Sequence, residues 1–322
     1  MERLHLKNII WLLTAILGFV LLLFLVNRGI INRFYQITLV TIMLNIIYAV
    51  GLNLVLGIAG QFSLGHAAFI AIGGYSSAII SKSFENSLIG MFVGMGIGVV
   101  LSILLALIVG IPTLRLKGDY LAIATLGVAE IVRVVINNMR DLTNGPAGIS
   151  GIPLVTTWQL VYFFLVITTI FILNYVYSSA GRATMAIQQD EIAAEAMGVD
   201  VTKYKVLAFV IGAITASIAG ALQANYIGIV TPSDYTFAKS IDILIIVVFG
   251  GIGSFTGTFV AAIILGVLNV FLQDFGQLRM IIYGFAVILI MIFRPGGLLG
   301  TSELRIGQIV ANLFNRRKEV AK

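Results

Sequence analysis

Long apolar runs separated by short polar ones dominate the chain, and a helix needs about 20 apolar residues to cross a ~30 Å hydrocarbon core. By that rule ten spans are expected, at 8–26, 35–57, 62–81, 88–111, 119–138, 159–177, 206–229, 240–251, 255–273 and 278–293. Two are irregular. The 240–251 run is too short to cross alone, which predicts a tilted, re-entrant or half-broken helix. The 62–81 run opens on Gln61, Ser63 and His66 behind Gly57 and Gly60, so it too reads as interrupted. The expected class is all-α, a polytopic integral membrane protein of about 8–10 transmembrane helices with one or two broken or re-entrant segments. It is expected to form one transmembrane domain over residues 1–322.

One polar segment stands against this pattern. Residues 181–205, GRATMAIQQDEIAAEAMGVDVTKYK, lie between apolar blocks and are rich in good helix formers. Gly198 supplies a residue able to turn left-handed after the last helical turn. A short charged surface helix with a stop is predicted. Ile187, Ala194 and Met197 fall near one of its faces, and Asp190, Glu191 and Glu195 face the other way. Held between spans and too short to be a domain, it offers a partner a handle.

Composition agrees with a lipid environment. Of 322 residues 59% are hydrophobic and 11% charged, with mean hydropathy +1.06, whereas a soluble domain carries about 25% charged residues. The net charge of +6 is read as the positive-inside bias rather than as affinity for nucleic acid. Placing both termini, segment 181–205 and the tail 294–322 in the cytoplasm puts most Lys and Arg on that side. The apolar run after Arg3 and Lys7 has no small-residue cleavage site, so a retained first span is expected. Cysteine is absent, and His5 and His66 stand far apart, which argues against thiolate chemistry and a histidine metal cluster.

Polar residues within the spans carry two readings each. Glu130 and Arg133 are spaced to pair with one another or to serve a pathway. Gln61, Ser63 and His66, with Ser254 in the second glycine-broken region 250–257, either border a cavity between broken helices or accompany glycines used for close packing. Asp242, Asn45 and Asn53 are read as ordinary interhelical hydrogen-bonding groups. Two stripes of small residues, Gly90, Gly94 and Gly98, and then Gly212, Ala216, Gly220, Ala224 and Gly228, suit close helix packing or a sliding interface. The loop 141–153 is read as a connector or as a contact surface for an external partner.

Four blocks in order carry a family resemblance. They are GIAGQFSLGHAAF at 57–69, GDYLAIATLG at 118–127, the segment 181–205 with its DEIAAEAMG core, and GGIGS at 250–254 leading to FRPGGLLG at 293–300. Together they resemble the branched-chain amino acid permeases of the LivM type, over nearly the whole chain. The resemblance implies a subunit of an ATP-binding-cassette importer. It also implies a second permease subunit of the LivH type, two cytoplasmic ATPase subunits and an extracytoplasmic solute-binding protein, at the bacterial inner membrane.

Residues 181–205 resemble that class's cytoplasmic coupling loop, which implies coupling roles for Asp190, Glu191, Ala194, Glu195 and Gly198. No G-x-x-x-x-G-K-[ST] occurs, so no cofactor is expected on this chain and ATP is expected on partner subunits. Relatives of this type also resemble urea or short-amide carriers, so substrate stays open. A stand-alone secondary transporter or channel would need Glu130 or Asp242 as its ion site. A membrane enzyme lacks a catalytic constellation, and none is expected.

Overall fold

The computed structural model describes residues 16–29, 31–113, 116, 118–275, 278, 281, 282, 284, 285, 288, 292 and 296–300. The start of the first expected span, most of the expected span 278–293 and most of the tail lie outside the described residues. Helix α1 (Ile16–Asn27) precedes α2 (Arg33–Asn53), which continues through a π-helical turn, Leu54–Ile58. Then come α3 (His66–Ser83), α4 (Ser87–Thr113), α5 (Asp119–Asn138), the single turn α6 (Arg140–Thr143) and α7 (Trp158–Tyr177). The series ends with α8 (Ser179–Gln189), α9 (Glu191–Ala196), α10 (Val201–Ile227), α11 (Phe237–Gly250) and α12 (Phe255–Phe271).

Among the described residues four stretches are long and apolar enough to cross a membrane alone: Arg33–Ile58, α4, α7 and α10. A fifth arises if α11 and α12, bent by 119° at their break, are counted as one span. Helix α3 owes its place to enclosure rather than to hydropathy. It lies between α4 and α10, so its Ser, Gly and Tyr residues meet protein instead of lipid.

The two small-residue stripes make that enclosure close enough. A Cβ on Gly73 of α3 would overlap the Ser217 carbonyl and stand 2.6 Å from its Cα. Gly220 faces Ile70 in the same way, and Gly94 and Gly98 of α4 face Ser77 and Gly73. Gly212 turns to α2, against Gly51 and Val55. The α10 stripe thus serves two neighbours, as close packing in lipid requires. Burial follows: 78% of the apolar window of Arg33–Ile58 and 72% of that of α10 is enclosed, against 28% for α4 and α7. The outer pair turns most of its apolar surface away from the bundle.

At one end of the bundle the 141–153 loop is ordered and pinned. It takes in the last three residues of α6, a 3₁₀ turn (Gly145–Ala147) and strand β1 (Ile149–Ser150), which pairs antiparallel with β2 (Ile229–Val230). Lys82 Nζ donates to the Ser150 carbonyl at 3.0 Å, and Ile152 N–H to that of Gly228 at 3.1 Å. Composition alone predicted turns here; the structure adds helical turns to them.

Candidate functional site

The signature blocks converge on the two helix breaks. After the π-turn the backbone runs open from 59 to 65, and α3 starts at His66 with no side-chain cap from its own N-cap residue, Gly65. Neighbouring helices supply acceptors instead. Leu64 N–H donates to Thr125 Oγ1 of α5, and Ala67 N–H to Ser240 Oγ of α11, each at 3.0 Å. At the second break Ser254 Oγ accepts from Gly257 N–H at 3.1 Å and caps α12. The last carbonyls of α11, on Phe249 and Gly250, accept from the N–H groups of Leu298 and Leu299 at 2.8 and 3.3 Å. Broken helices leave such groups unpaired inside a membrane protein, and each must find a partner.

One side chain ties the breaks together. Asn53, fully buried at the end of α2, donates from Nδ2 to the Ser254 carbonyl (3.0 Å) and to Thr258 Oγ1 (2.9 Å). Its Oδ1 accepts from Gly253 N–H at 2.8 Å. Gly57, one turn on, lets the two backbones touch: a Cβ there would stand 2.6 Å from Gly253 Cα. Sequence reasoning set Asn53 aside as an ordinary interhelical group. The available signal was a complete amide, donor and acceptor, one turn ahead of a glycine-rich break.

The residues named from sequence for the pathway divide. Gln61 and His66 are buried beside the first break, and both Gln61 amide atoms and His66 Nε2 lack a hydrogen-bond partner among the described residues. Unpaired buried polar atoms are rare and mark places where water or a polar ligand belongs. Ser63 is buried and accepts from Gly65 N–H at 3.3 Å, and Ser254 serves as the cap described above. Glu130 pairs on its own helix with Arg133 at 2.7 Å, both side chains being about one third exposed, at 34% and 32%. Among the described residues no hydrogen bond joins that pair to the breaks.

Segment 181–205 differs from the single helix expected. Asp190 stops α8 and begins α9, its Oδ1 accepting from the N–H groups of Ile192 and Ala193 at 3.0 Å each. Glu191 pairs with Lys205 of α10 at 2.9 Å, and Gly198 closes the segment at φ +84°. Ile187 and Ala194 are buried as expected, but Met197 is not their companion: it is 84% exposed, like Ile192 at 78%. Glu195 is exposed beside them.

The other side of this segment presses on the first break. Gly60 is at φ +66°, and a Cβ there would stand 2.9 Å from Gln188 Cγ of α8. Replacing Asp190 by Ala removes the α9 cap at a cost of about 1 kcal/mol. The expected result is faster hydrogen exchange at Ile192 and Ala193, with exchange in α10 unchanged.

Comparison with known proteins places this arrangement. The chain is 36% identical over 310 residues to the "High-affinity branched-chain amino acid transport system permease protein LivM" of Salmonella typhimurium, covering 86% of this chain and 71% of that protein. The LivM protein of Escherichia coli matches with the same identity and coverage. The permease protein LivH of Salmonella typhimurium is 25% identical over 288 residues, covering 80% of this chain and 91% of that protein. No solved structure matches the chain. The family described as "Branched-chain amino acid transport system / permease component" matches residues 34–293, from the start of α2 through both breaks, and the chain belongs to that family of membrane permeases.

Proposed function

We propose that this chain is one transmembrane subunit of an ATP-binding-cassette importer that moves leucine, isoleucine and valine into the cell. The observation that carries the reading is the contact between α8 and the first break, Gln188 against Gly60, which seats an exposed lever against the surface end of that break. The LivM relatives named for branched-chain amino acid transport support the substrate, and the LivH relative supports a second permease of similar build.

In this reading a solute-binding protein delivers the amino acid to the end bearing β1 and β2. Two cytoplasmic ATPase subunits bind α8 and α9, and their ATP-driven closure pushes on 59–65. The Asn53 stitch carries the displacement to the α11–α12 break, so access switches sides. Inner-membrane location, cytoplasmic termini and a single permease domain complete the proposal. Asp190, Glu191, Ala194, Glu195 and Gly198 shape the lever. Ile192 and Met197 are the surfaces that an ATPase groove takes up, because apolar side chains so exposed on a polar segment gain most from burial in a partner.

Reconstitution of the chain with the second permease, ATPase and binding protein tests this. ATP-dependent uptake of leucine, competed by valine and not by urea, is expected. Uptake by the solitary chain in an ion gradient, or competition by urea equal to that by valine, overturns it. Ile192→Asp with Met197→Asp is expected to lower stimulated ATP hydrolysis at least tenfold while the melting temperature of the isolated chain stays unchanged.

A further inference from the structure

At the end of the bundle away from α8 and α9, a small open cleft of about 70 Å³ lies between α2, the last turns of α10 and the head of α11. Its walls are of two kinds. Ile37 and Leu44 give it an aliphatic side, while Asn45, Tyr48, Gln223 and Lys239 give it a polar one.

The polar wall is biased toward donors. Tyr48 Oη donates to Gln223 Oε1 at 2.6 Å, which uses the acceptor of that amide and leaves its NH₂ to the cavity. Asn45 makes no side-chain hydrogen bond among the described residues, so its NH₂ is free as well. The Lys239 ammonium is turned inward, 5.2 Å from the ring centroid of the fully buried Tyr48, instead of reaching outward as a lysine near a helix end ordinarily does. It makes no hydrogen bond and no ion pair among the described residues, although Asp242 lies one turn along α11 and Asp234 just before it. Those two carboxylates offset part of its charge without bonding to it, which leaves the ammonium's donors open to an anion, and an ionisable group placed so within a membrane bundle marks a functional site.

We infer that this cavity is a transient binding site for the carboxylate of the transported amino acid. Lys239, Gln223 and Asn45 supply the donors, and Ile37 and Leu44 receive the branched side chain. The inference rests on the importer reading and deepens it. The same donors suit the phosphate of an anionic lipid headgroup, and the experiment separates the two sources.

The test uses the purified permease–ATPase complex without its binding protein, and radiolabelled leucine. Leucine binding is expected to be competed by 4-methylpentanoate, which keeps the carboxylate, and not by isopentylamine, which keeps the amine. Lys239→Met is expected to weaken binding at least tenfold and Lys239→Arg to restore most of it, at equal melting temperatures. Equal competition by isopentylamine, or unchanged leucine binding in Lys239→Met, overturns the inference. So does native mass spectrometry in which Lys239→Met strips bound phosphatidylglycerol while leucine binding stays as in the wild type. Failure of this site leaves ATP-driven uptake by the wild-type assembly intact, whereas failure of the importer reading abolishes that uptake before any substitution is made.

Discussion

Replacing Gly73 by valine is expected to cause the largest loss of stability of any single glycine substitution in the α3–α10 contact. The added Cβ meets the Ser217 carbonyl, its carbon and its Cα, the last two at 2.6 Å, and all three belong to backbone. A side chain could rotate away; a helix backbone cannot without moving α10 bodily. Overpacking a well-filled interior costs about 1–3 kcal/mol and occasionally more, and Gly73 lies at the upper end because α4 also packs closely on it: a Cβ added to Gly98 would stand 3.0 Å from Gly73 Cα. Gly96, also on α4, has nothing within 4 Å of its added Cβ and is the matched control. Thermal melting of the two purified variants checks this. Gly73→Val is expected to melt far below the wild type or to fail to accumulate, and Gly96→Val to match the wild type. Equal melting would remove the close approach of α3 and α10 from the account.

The helices themselves were legible, because a run of apolar residues long enough to cross lipid leaves few alternatives. The two interruptions were legible as glycines beside polar residues, at 57–66 and 250–257. Their meeting was not. Asn53 reaches Gly253, Ser254 and Thr258 across 200, 201 and 205 residues of chain, and no local pattern encodes such partners. The Glu130–Arg133 pair was readable from its spacing, since i and i+3 share a helix face.

Met197 shows where periodicity fails. Its assignment to the face of Ile187 assumed one continuous helix, but Asp190 turns its carboxylate onto the next N–H groups and resets the helical phase between them. Good helix formers on both sides concealed the break, because propensity counts residues and does not see a cap in competition. Asp190 therefore acts first as the corner of the lever and only then as a charge on it.

The stitch at Asn53 carries the second large effect. Asn53→Leu keeps roughly the volume and removes three hydrogen bonds at once. The partners do not suffer equally. The Ser254 carbonyl still accepts from Thr258 Oγ1 at 2.9 Å, so both of those groups stay paired. The half-buried Gly253 N–H loses its acceptor, which costs about 1 kcal/mol, toward the low end for an unmade donor, and the net value of the two other bonds adds about 1 kcal/mol each. A loss on the order of 3 kcal/mol is expected, larger than for Thr258→Val, which leaves Gly253 N–H bonded to Asn53. Because Asn53 and Thr258 share one bond, the double variant is expected to cost less than the sum of the singles. Function separates the stitch from a passive packing role. If it carries motion between the breaks, Asn53→Leu in the reconstituted importer hydrolyses ATP while leucine uptake per ATP falls severalfold. If uptake and hydrolysis fall together in proportion to folded protein, the breaks are merely fastened there, and the path from lever to bundle runs through α10 instead.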